Sequence, residues 1–545
     1  MAVPALVMLA LGLWRLDRGG MWRDEAVSFQ VGRRTVPQIW RLLHDVDAVH
    51  GLYYLLVHAV LAVRPGEVAL RLPSVCAAAG TAALVASLGA RLVRPRVGLW
   101  AGLLYAVTPM AGHYAQEGRS YALVAAGATA ATLLFVRAVR GGTWWPYGAV
   151  LALTCWLHEF AVLLLLAHAG SLALARAGAR VWRAWGGTAA AVVLALLPMA
   201  LVSSGQAAQL AWLRAPTGDT AGGLLRKFLG PADSVFWVCL ALGVLGLAGL
   251  VGRKGELTCP GVGLPVMVVP PAVLMLVSQV SPLYVDRYVL YALSGAPLLV
   301  ACGAERLAGA LARLPAGALR ASARPAPGDG CPDAGGPDAG GPGTRPGVPG
   351  RSSAVALAGV LAVVLALVHQ FPLLRLDRDP GRRPDDLAAV SRAAGREVGA
   401  GQAVVFVPAA LRNAALTYPR PFRGTRDVLL VTGAAESGTL YGREAGVAEA
   451  RRRLAGLERV WVVGDRRLLG GAWVPHDPVE RAKAAVLWQQ FTARRETVRG
   501  WITVRLYVRP VSAPPPSAPL PSSPPRSVPV PSVPPPSAPP RPARP

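Results

Sequence analysis

A polytopic α-helical membrane protein with a small C-terminal α/β domain is the fold class the sequence predicts. Three observations point to it. Of the 545 residues, 53% are hydrophobic and only 16% charged, whereas an ordinary soluble domain has roughly 25% charged residues. Long runs almost free of charge recur through the first two thirds of the chain. After about residue 376 the pattern changes to short strands and helices. A single soluble core cannot hide that much apolar sequence.

A membrane span needs about 20 mostly apolar residues to cross roughly 30 Å of hydrocarbon. Eleven spans are read near residues 1–14, 72–90, 97–115, 120–136, 143–157, 160–175, 184–205, 234–252, 264–282, 288–303 and 353–371. Lipid offers the backbone no hydrogen-bond partner, so each is expected to be a helix. Met1–Trp14 lacks a basic leader region and a small-residue cleavage site, so it reads as a first span rather than a signal peptide.

Arginine placement gives the orientation. Arg91/Arg94/Arg96, Arg137/Arg140, Arg176/Arg180/Arg183, Arg253/Lys254 and the segment 304–351 read as cytoplasmic. Segments 15–71, 116–119, 158–159, 206–233 and 283–287 are mixed or neutral and read as external. A plasma-membrane protein with its C-terminal domain outside follows. The domain reading is 1–375 as the membrane module, with a first external loop at 15–71 and a disordered cytoplasmic loop at 305–351, then 376–510 outside, then a tail at 511–545. The cytoplasmic loop repeats Pro-Asp-Ala-Gly-Gly and cannot bury apolar area. The tail has 16 Pro in 35 residues, which keeps it extended and solvated.

In the outer domain, Asp385–Gly395 and Val447–Leu457 have helical spacing. Gln402–Val407, Val460–Val463 and Ile502–Val508 read as strands. Asp465 and His476-Asp477 read as loop residues without a partner, and the domain itself reads as a packing or substrate-guiding cap.

The formal charge of +26 raises the question of nucleic acid, but the Arg residues sit between apolar runs, where topology explains them. The six Cys form no CxxC pair and no Cys/His cluster, so neither a disulfide framework nor a zinc site is expected. No phosphate loop and no dinucleotide fingerprint is found.

Chemistry-bearing residues gather in the segments read as external. Trp22-Arg23-Asp24-Glu25 follows the first span; two adjacent carboxylates at a membrane surface are costly unless solvated or useful. His50-Gly51-Leu52-Tyr53-Tyr54 leads into an amphipathic helix. Tyr114-Ala-Gln-Glu117-Gly-Arg119-Ser-Tyr121 packs an acid and a base into one turn, which a single salt bridge would also explain. His158-Glu159-Phe160 and Tyr284-Val-Asp286-Arg287-Tyr288 lie at further helix ends. Acids, His and Arg at one membrane face suit a lipid-linked substrate with an anionic head.

The order of these motifs, with Leu70-Arg71-Leu-Pro73-Ser between them, resembles polytopic glycosyltransferases of the GT-C class. The nearest resemblance is to glycosyltransferase family 39 and the related bacterial mannosyl- and aminoarabinosyl-transferases, over roughly residues 10–305. The resemblance implies a polyprenyl-phosphate sugar donor, mannose being the first choice, and a protein, lipid or glycan acceptor on the outer face. It implies Asp24 as general base with Glu25 supporting it, beside Arg23. Glu117 and Arg119 would line the sugar or phosphate pocket, Arg287 would hold the donor phosphate, and Arg23, His50, Tyr53, Tyr54, His158, Asp286 and Tyr288 would bind substrate. Mg²⁺ or Mn²⁺ on Asp24, Glu25 and Glu117 is an open alternative to charge alone. Relatives often carry two prolines where His50-Gly51 stand here, which bears on the loop shape.

Two other classes compete. A lipid or ion transporter predicts ionisable residues near the bilayer midplane and repeated halves. A non-catalytic scaffold predicts an outer domain that only binds a partner.

Overall fold

The computed structural model describes residues 1–17, 19–206, 213–313, 349–379 and 385–510. The membrane part contains α1 (Ala2–Leu13), α2 (Arg23–Gly32), α3 (Val36–Asp45), α4 (Gly51–Val63), α5 (Glu67–Leu92), α6 (Pro95–Val107), α7 (Pro109–Ala115) and α8 (Tyr121–Val139). It continues with α9 (Trp145–Leu157), α10 (Leu164–Leu174), α11 (Ala179–Ser204), α12 (Gly218–Leu229), α13 (Asp233–Gly246), α14 (Cys259–Val277), α15 (Gly295–Arg313) and α16 (Pro349–Asp377). Among the described residues, six helical segments are long and apolar enough to cross a membrane: α5, α8, α11, α14, Asp286–Arg313 and Ser353–Asp377. The pair α12–α13, bent by 88°, makes a seventh if taken as one span.

The remaining expected spans are shorter or broken. α1 has 12 residues, about 18 Å at the helical rise, too short for the hydrocarbon core. The stretch 97–115 splits where Thr108 turns extended and Pro109 starts α7. His158, also extended, separates α9 from a 3-10 turn at Glu159–Leu163 that leads into α10. The segment 15–71 is no open loop, for it holds α2, α3 and α4. The ends of the expected 305–351 loop are helical, since α15 runs to Arg313 and α16 begins at Pro349. The rest of that loop, and the proline-rich tail, lie outside the described residues.

Small residues let the helices approach closely. A Cβ on Gly303 would strike the Leu242 carbonyl, and one on Gly246 the Leu299 carbonyl, so α13 and α15 meet backbone to backbone. The loops rich in Arg meet at one end of the bundle: Arg140 donates to the Arg91 carbonyl, Arg176 to the Gly252 carbonyl, and Arg96 grips Glu305 bidentately. The motif-bearing segments gather at the other end.

The outer domain holds α17 (Leu387–Glu397), α18 (Asn413–Thr417), α19 (Val447–Ala455), α20 (Arg466–Leu469) and α21 (Pro478–Gln490). Its strands are β1 (Ala403–Val407), β2 (Arg426–Asp427), β3 (Leu430–Thr432), β4 (Arg443–Glu444), β5 (Arg459–Asp465), β6 (Thr492–Arg499) and β7 (Ile502–Val508). Five form one sheet in the order β2-β1-β5-β7-β6, parallel over β2-β1-β5 and antiparallel beyond. Every residue of β1 is buried, as expected of a parallel strand covered on both faces. Val405, Val407, Val460 and Val462 face α19 and α21. Val404, Phe406, Trp461 and Val463 face α17, and that core runs on without a break into Met21, Ala26, Ile39, Tyr53 and Val57 of the juxtamembrane helices. Asp465 and Asp477, read as unpartnered, cap α20 and α21 by accepting from backbone N–H groups one turn on.

Candidate active site

The site sits where α2, the turn at Ala48–His50, the Gln116–Ser120 turn, His158 and the Asp286–Ser294 turn meet. Asp24 and Glu25 occupy the first turn of α2, where the free N–H groups of a helix start favour negative charge. Successive positions on a helix point apart, and the two acids diverge.

Asp24 faces the opening. Its side chain is 22% exposed, 3.5 Å from the Arg287 guanidinium and 3.9 Å from Arg23. Arg287 is anchored by a hydrogen bond from its Nε to Tyr121 Oη at 3.1 Å. It lies over the rings of Trp22, Tyr121 and Tyr288 at 5.8, 5.9 and 5.5 Å. Arg23, half exposed, contributes mainly backbone to the site.

Glu25 points inward and is fully buried. Both its oxygens accept from Arg71, at 2.7 and 2.8 Å, and Oε1 also accepts from the Gly118 N–H. Arg71 donates further to the Leu16 and Gly20 carbonyls. Glu25, expected to support Asp24, is bonded here to Arg71 and Gly118, and its charge ties α2, α5 and the Gln116–Ser120 turn together. This also dissolves the considered metal set. With Glu25 held by Arg71, the trio Asp24, Glu25 and Glu117 does not converge, and among the described residues no group of three or more His, Cys, Asp or Glu is placed to hold a metal ion.

Behind the opening lies a buried polar floor. Arg119 does not pair with Glu117; its Nη2 lies 2.6 Å from His50 Nε2, and its Nη1 donates to Ser28 Oγ at 3.2 Å. The His50 and His158 rings are 6.1 Å apart, and His158 packs 4.8 Å from Tyr288. Tyr54 donates to Asp47 Oδ2 at 2.7 Å. Six buried atoms here have no hydrogen-bond partner among the described residues: His50 Nδ1, Tyr53 Oη, Glu117 Oε2, Arg119 Nε, Ser120 Oγ and His158 Nδ1. Buried polar groups are nearly always satisfied, so the cluster is built for a ligand or water rich in hydrogen-bonding groups. Asp286 is turned elsewhere, held by Lys227 and by Tyr284 Oη.

Burial dominates the ionisation of the floor. It pushes the Glu117 carboxyl up from 4.5 to about 7; the charges of Glu25 and Asp24 add to this, while His113 and Arg287 oppose it. Burial, with Arg119 and Arg287 behind it, pushes His158 down to about 3, and the same causes together with His158 hold His50 well below 6.5. Between pH 4.5 and about 7 the unfolded chain has Glu117 ionised and the folded chain keeps its proton. Stability from this group is therefore full below 4.5 and falls as pH rises to about 7. The histidines act with the opposite sign, losing stability as pH falls below 6.5. Melting curves across this window, compared with Glu117→Gln, isolate the carboxyl. The wild type is expected to lose melting temperature relative to the variant as pH rises; parallel curves would refute the assignment.

Several residues of the site carried no role in the sequence reading. Arg71 had a signal, a charge one turn inside an apolar helix. Ser120, Tyr121 and Trp22 stood inside quoted motifs. Asp385, Asn413 and Tyr418, which touch the Met21–Arg23 backbone, had none.

This architecture has solved counterparts. The crystal structure of ArnT from Cupriavidus metallidurans in the apo state aligns with 93% of this chain and 97% of its own, at a TM-score of 0.55 and 12% identity. The chain has the ArnT fold. The ArnT structure bound to undecaprenyl phosphate aligns equally well, over 94% of this chain and 98% of its own, with the same TM-score and identity. At 12% identity the likeness to ArnT is one of fold. No protein-family model matches the chain, and no curated protein matches it by sequence.

Proposed function

We propose that this protein is a membrane glycosyltransferase that moves a sugar from a polyprenyl-phosphate donor to an acceptor hydroxyl at the outer face of the plasma membrane. The observation that carries the proposal is the pairing of a partly exposed carboxylate with a ring-framed guanidinium, Asp24 and Arg287 at 3.5 Å, above a floor of unsatisfied buried polar atoms. The ArnT fold supports it, because an ArnT structure holds undecaprenyl phosphate.

In this reading Asp24 takes the proton of the acceptor hydroxyl as that oxygen attacks the anomeric carbon. The bond from that carbon to the phosphate oxygen breaks, and the polyprenyl phosphate leaves with the electron pair. Arg287 faces the charge that grows on the phosphate. His50, Tyr53, Glu117, Arg119 and His158 supply hydrogen bonds to sugar hydroxyls, while Tyr54, Trp22 and Tyr288 shape the walls. The arginine-rich end of the bundle faces the cytoplasm. Mannose is the first sugar to test, and protein, lipid and glycan are the acceptor classes.

The test is transfer of radiolabel from polyprenyl-phosphate mannose in membranes, then from the glucose and arabinose lipids. Wild type is expected to label an acceptor, and Arg287→Ala to raise the donor KM far more than the acceptor KM. Equal effects on both would sink the phosphate role. No transfer from any donor would overturn the reading in favour of a transporter.

A further inference from the structure

We propose that the outer domain is part of the catalytic apparatus, with Asn413 and Tyr418 acting as positioning residues that set the aim of Asp24. The inference rests on the sugar-transfer reading of Asp24 and adds residues to it from the far end of the chain.

The first turn of a helix leaves N–H groups without partners, and a side chain at the N-cap normally takes one. At α2 the N-cap is Trp22, which makes no such bond. The outer domain supplies the missing acceptor, for Asp385 Oδ2 takes the Arg23 N–H at 3.1 Å. Asn413 Nδ2 donates to the Arg23 carbonyl at 3.1 Å. Its Oδ1 accepts from Gln30 Nε2 at 3.0 Å and from Thr417 Oγ1 at 3.2 Å, which fixes the amide's orientation. Tyr418 Oη accepts from the Met21 N–H at 2.8 Å and gives its own proton to Glu67 Oε1 at 2.5 Å, so it too has one possible direction. From the opposite side Arg71 Nη2 holds the Gly20 carbonyl.

The peptide units leading into Asp24 are thus bonded at Gly20 O, Met21 N, Arg23 N and Arg23 O. Three of these four bonds come from residues beyond position 384. Asp385 and Asn413 are buried, which limits the competition of water for the two bonds they make to Arg23. Gly20 has φ +78°, and a Cβ there would run into Asp386, so this backbone and the outer domain were fitted to each other at van der Waals range. A general base works only within hydrogen-bond reach of its proton. Bonds made to the backbone on the N-terminal side of the base govern where its carboxylate points.

The test uses the full chain in nanodiscs, with Asn413→Ala, Tyr418→Phe and, as a control, Arg495→Ala, which removes an exposed ion pair to Glu397 elsewhere in the outer domain. Two readouts are taken: amide hydrogen exchange over residues 19–26, and kcat and donor KM. Asn413→Ala and Tyr418→Phe are expected to speed exchange at Met21 to Glu25 and to lower kcat by about 10- to 100-fold, the loss that an ångström-scale misplacement brings. Donor KM stays unchanged, and Arg495→Ala behaves as wild type. Unchanged exchange in both variants overturns the proposal, as does a rise in KM with kcat intact. Faster exchange in a protein whose wild type transfers no sugar keeps the hold on the segment and overturns the sugar-transfer reading instead.

Discussion

Asp24→Asn is expected to reduce sugar transfer by about 100- to 10,000-fold, the range that a positioned general base contributes, while the protein inserts and folds as before. Asparagine keeps the shape of the side chain and is well tolerated at a helix start, so α2 survives. What is lost in stability is the contact with Arg287 at 3.5 Å, between side chains that are each about one-fifth exposed. Pairs screened by solvent in this way are worth about 1 kcal/mol or less. A large kinetic effect beside a small thermal one is the signature of a reacting group. Transfer at the wild-type rate in this variant would remove Asp24 from the chemistry.

Its neighbour in sequence should behave in the opposite way. Arg71→Leu leaves Glu25 as a fully buried carboxylate without its guanidinium and strips donors from the Leu16 and Gly20 carbonyls. Breaking a buried pair from one side costs about 3–5 kcal/mol, a large part of what holds a typical domain folded. The expected result is poor accumulation in the membrane and a melting temperature far below wild type. Replacing both partners, as Arg71→Leu with Glu25→Leu, should restore part of the loss, because a buried ion pair and an apolar pair are often close in free energy. Recovery stays partial, since the Gly118 N–H and the Leu16 carbonyl lose the partners that Glu25 and Arg71 gave them. Wild-type stability in the single variant would refute the lock. Loss of activity in a Glu25 variant therefore assigns no chemistry to Glu25 until its melting curve is known.

The sequence displayed what depends on local pattern. Long apolar runs marked α5, α8, α11, α14 and α16, and strand periodicity marked β1, β5 and β7. The breaks were harder. Thr108-Pro109 and His158 interrupt runs whose average composition is still that of a span. β6, with the sequence Thr-Ala-Arg-Arg-Glu-Thr-Val-Arg, is a polar edge strand and lacks the alternation that marks a half-buried one. In the site, Asp24, Glu117, Arg119, His158 and Arg287 stood out because ionisable groups beside apolar runs are costly. Their partners did not stand out. Nothing within reach of Glu25 in sequence reveals that Arg71 neutralises it, so two adjacent acids looked alike when one is at the opening and the other sealed. Asn413 and Tyr418 are ordinary residues in an ordinary short helix, and only the fold brings them to Met21 and Arg23.

The shared core of the juxtamembrane helices and the outer sheet has a consequence for how the protein is made. Met21 leaves the ribosome 397 residues before its partner Tyr418. At typical elongation rates that interval is about 20 to 80 seconds. Throughout it the membrane helices can insert and pack by their own glycine contacts, while the segment that carries Asp24 waits for partners not yet synthesised. Assembly of the site therefore waits for the outer domain, and a ribosome that stops before residue 385 releases an inserted bundle whose base has not been set in place.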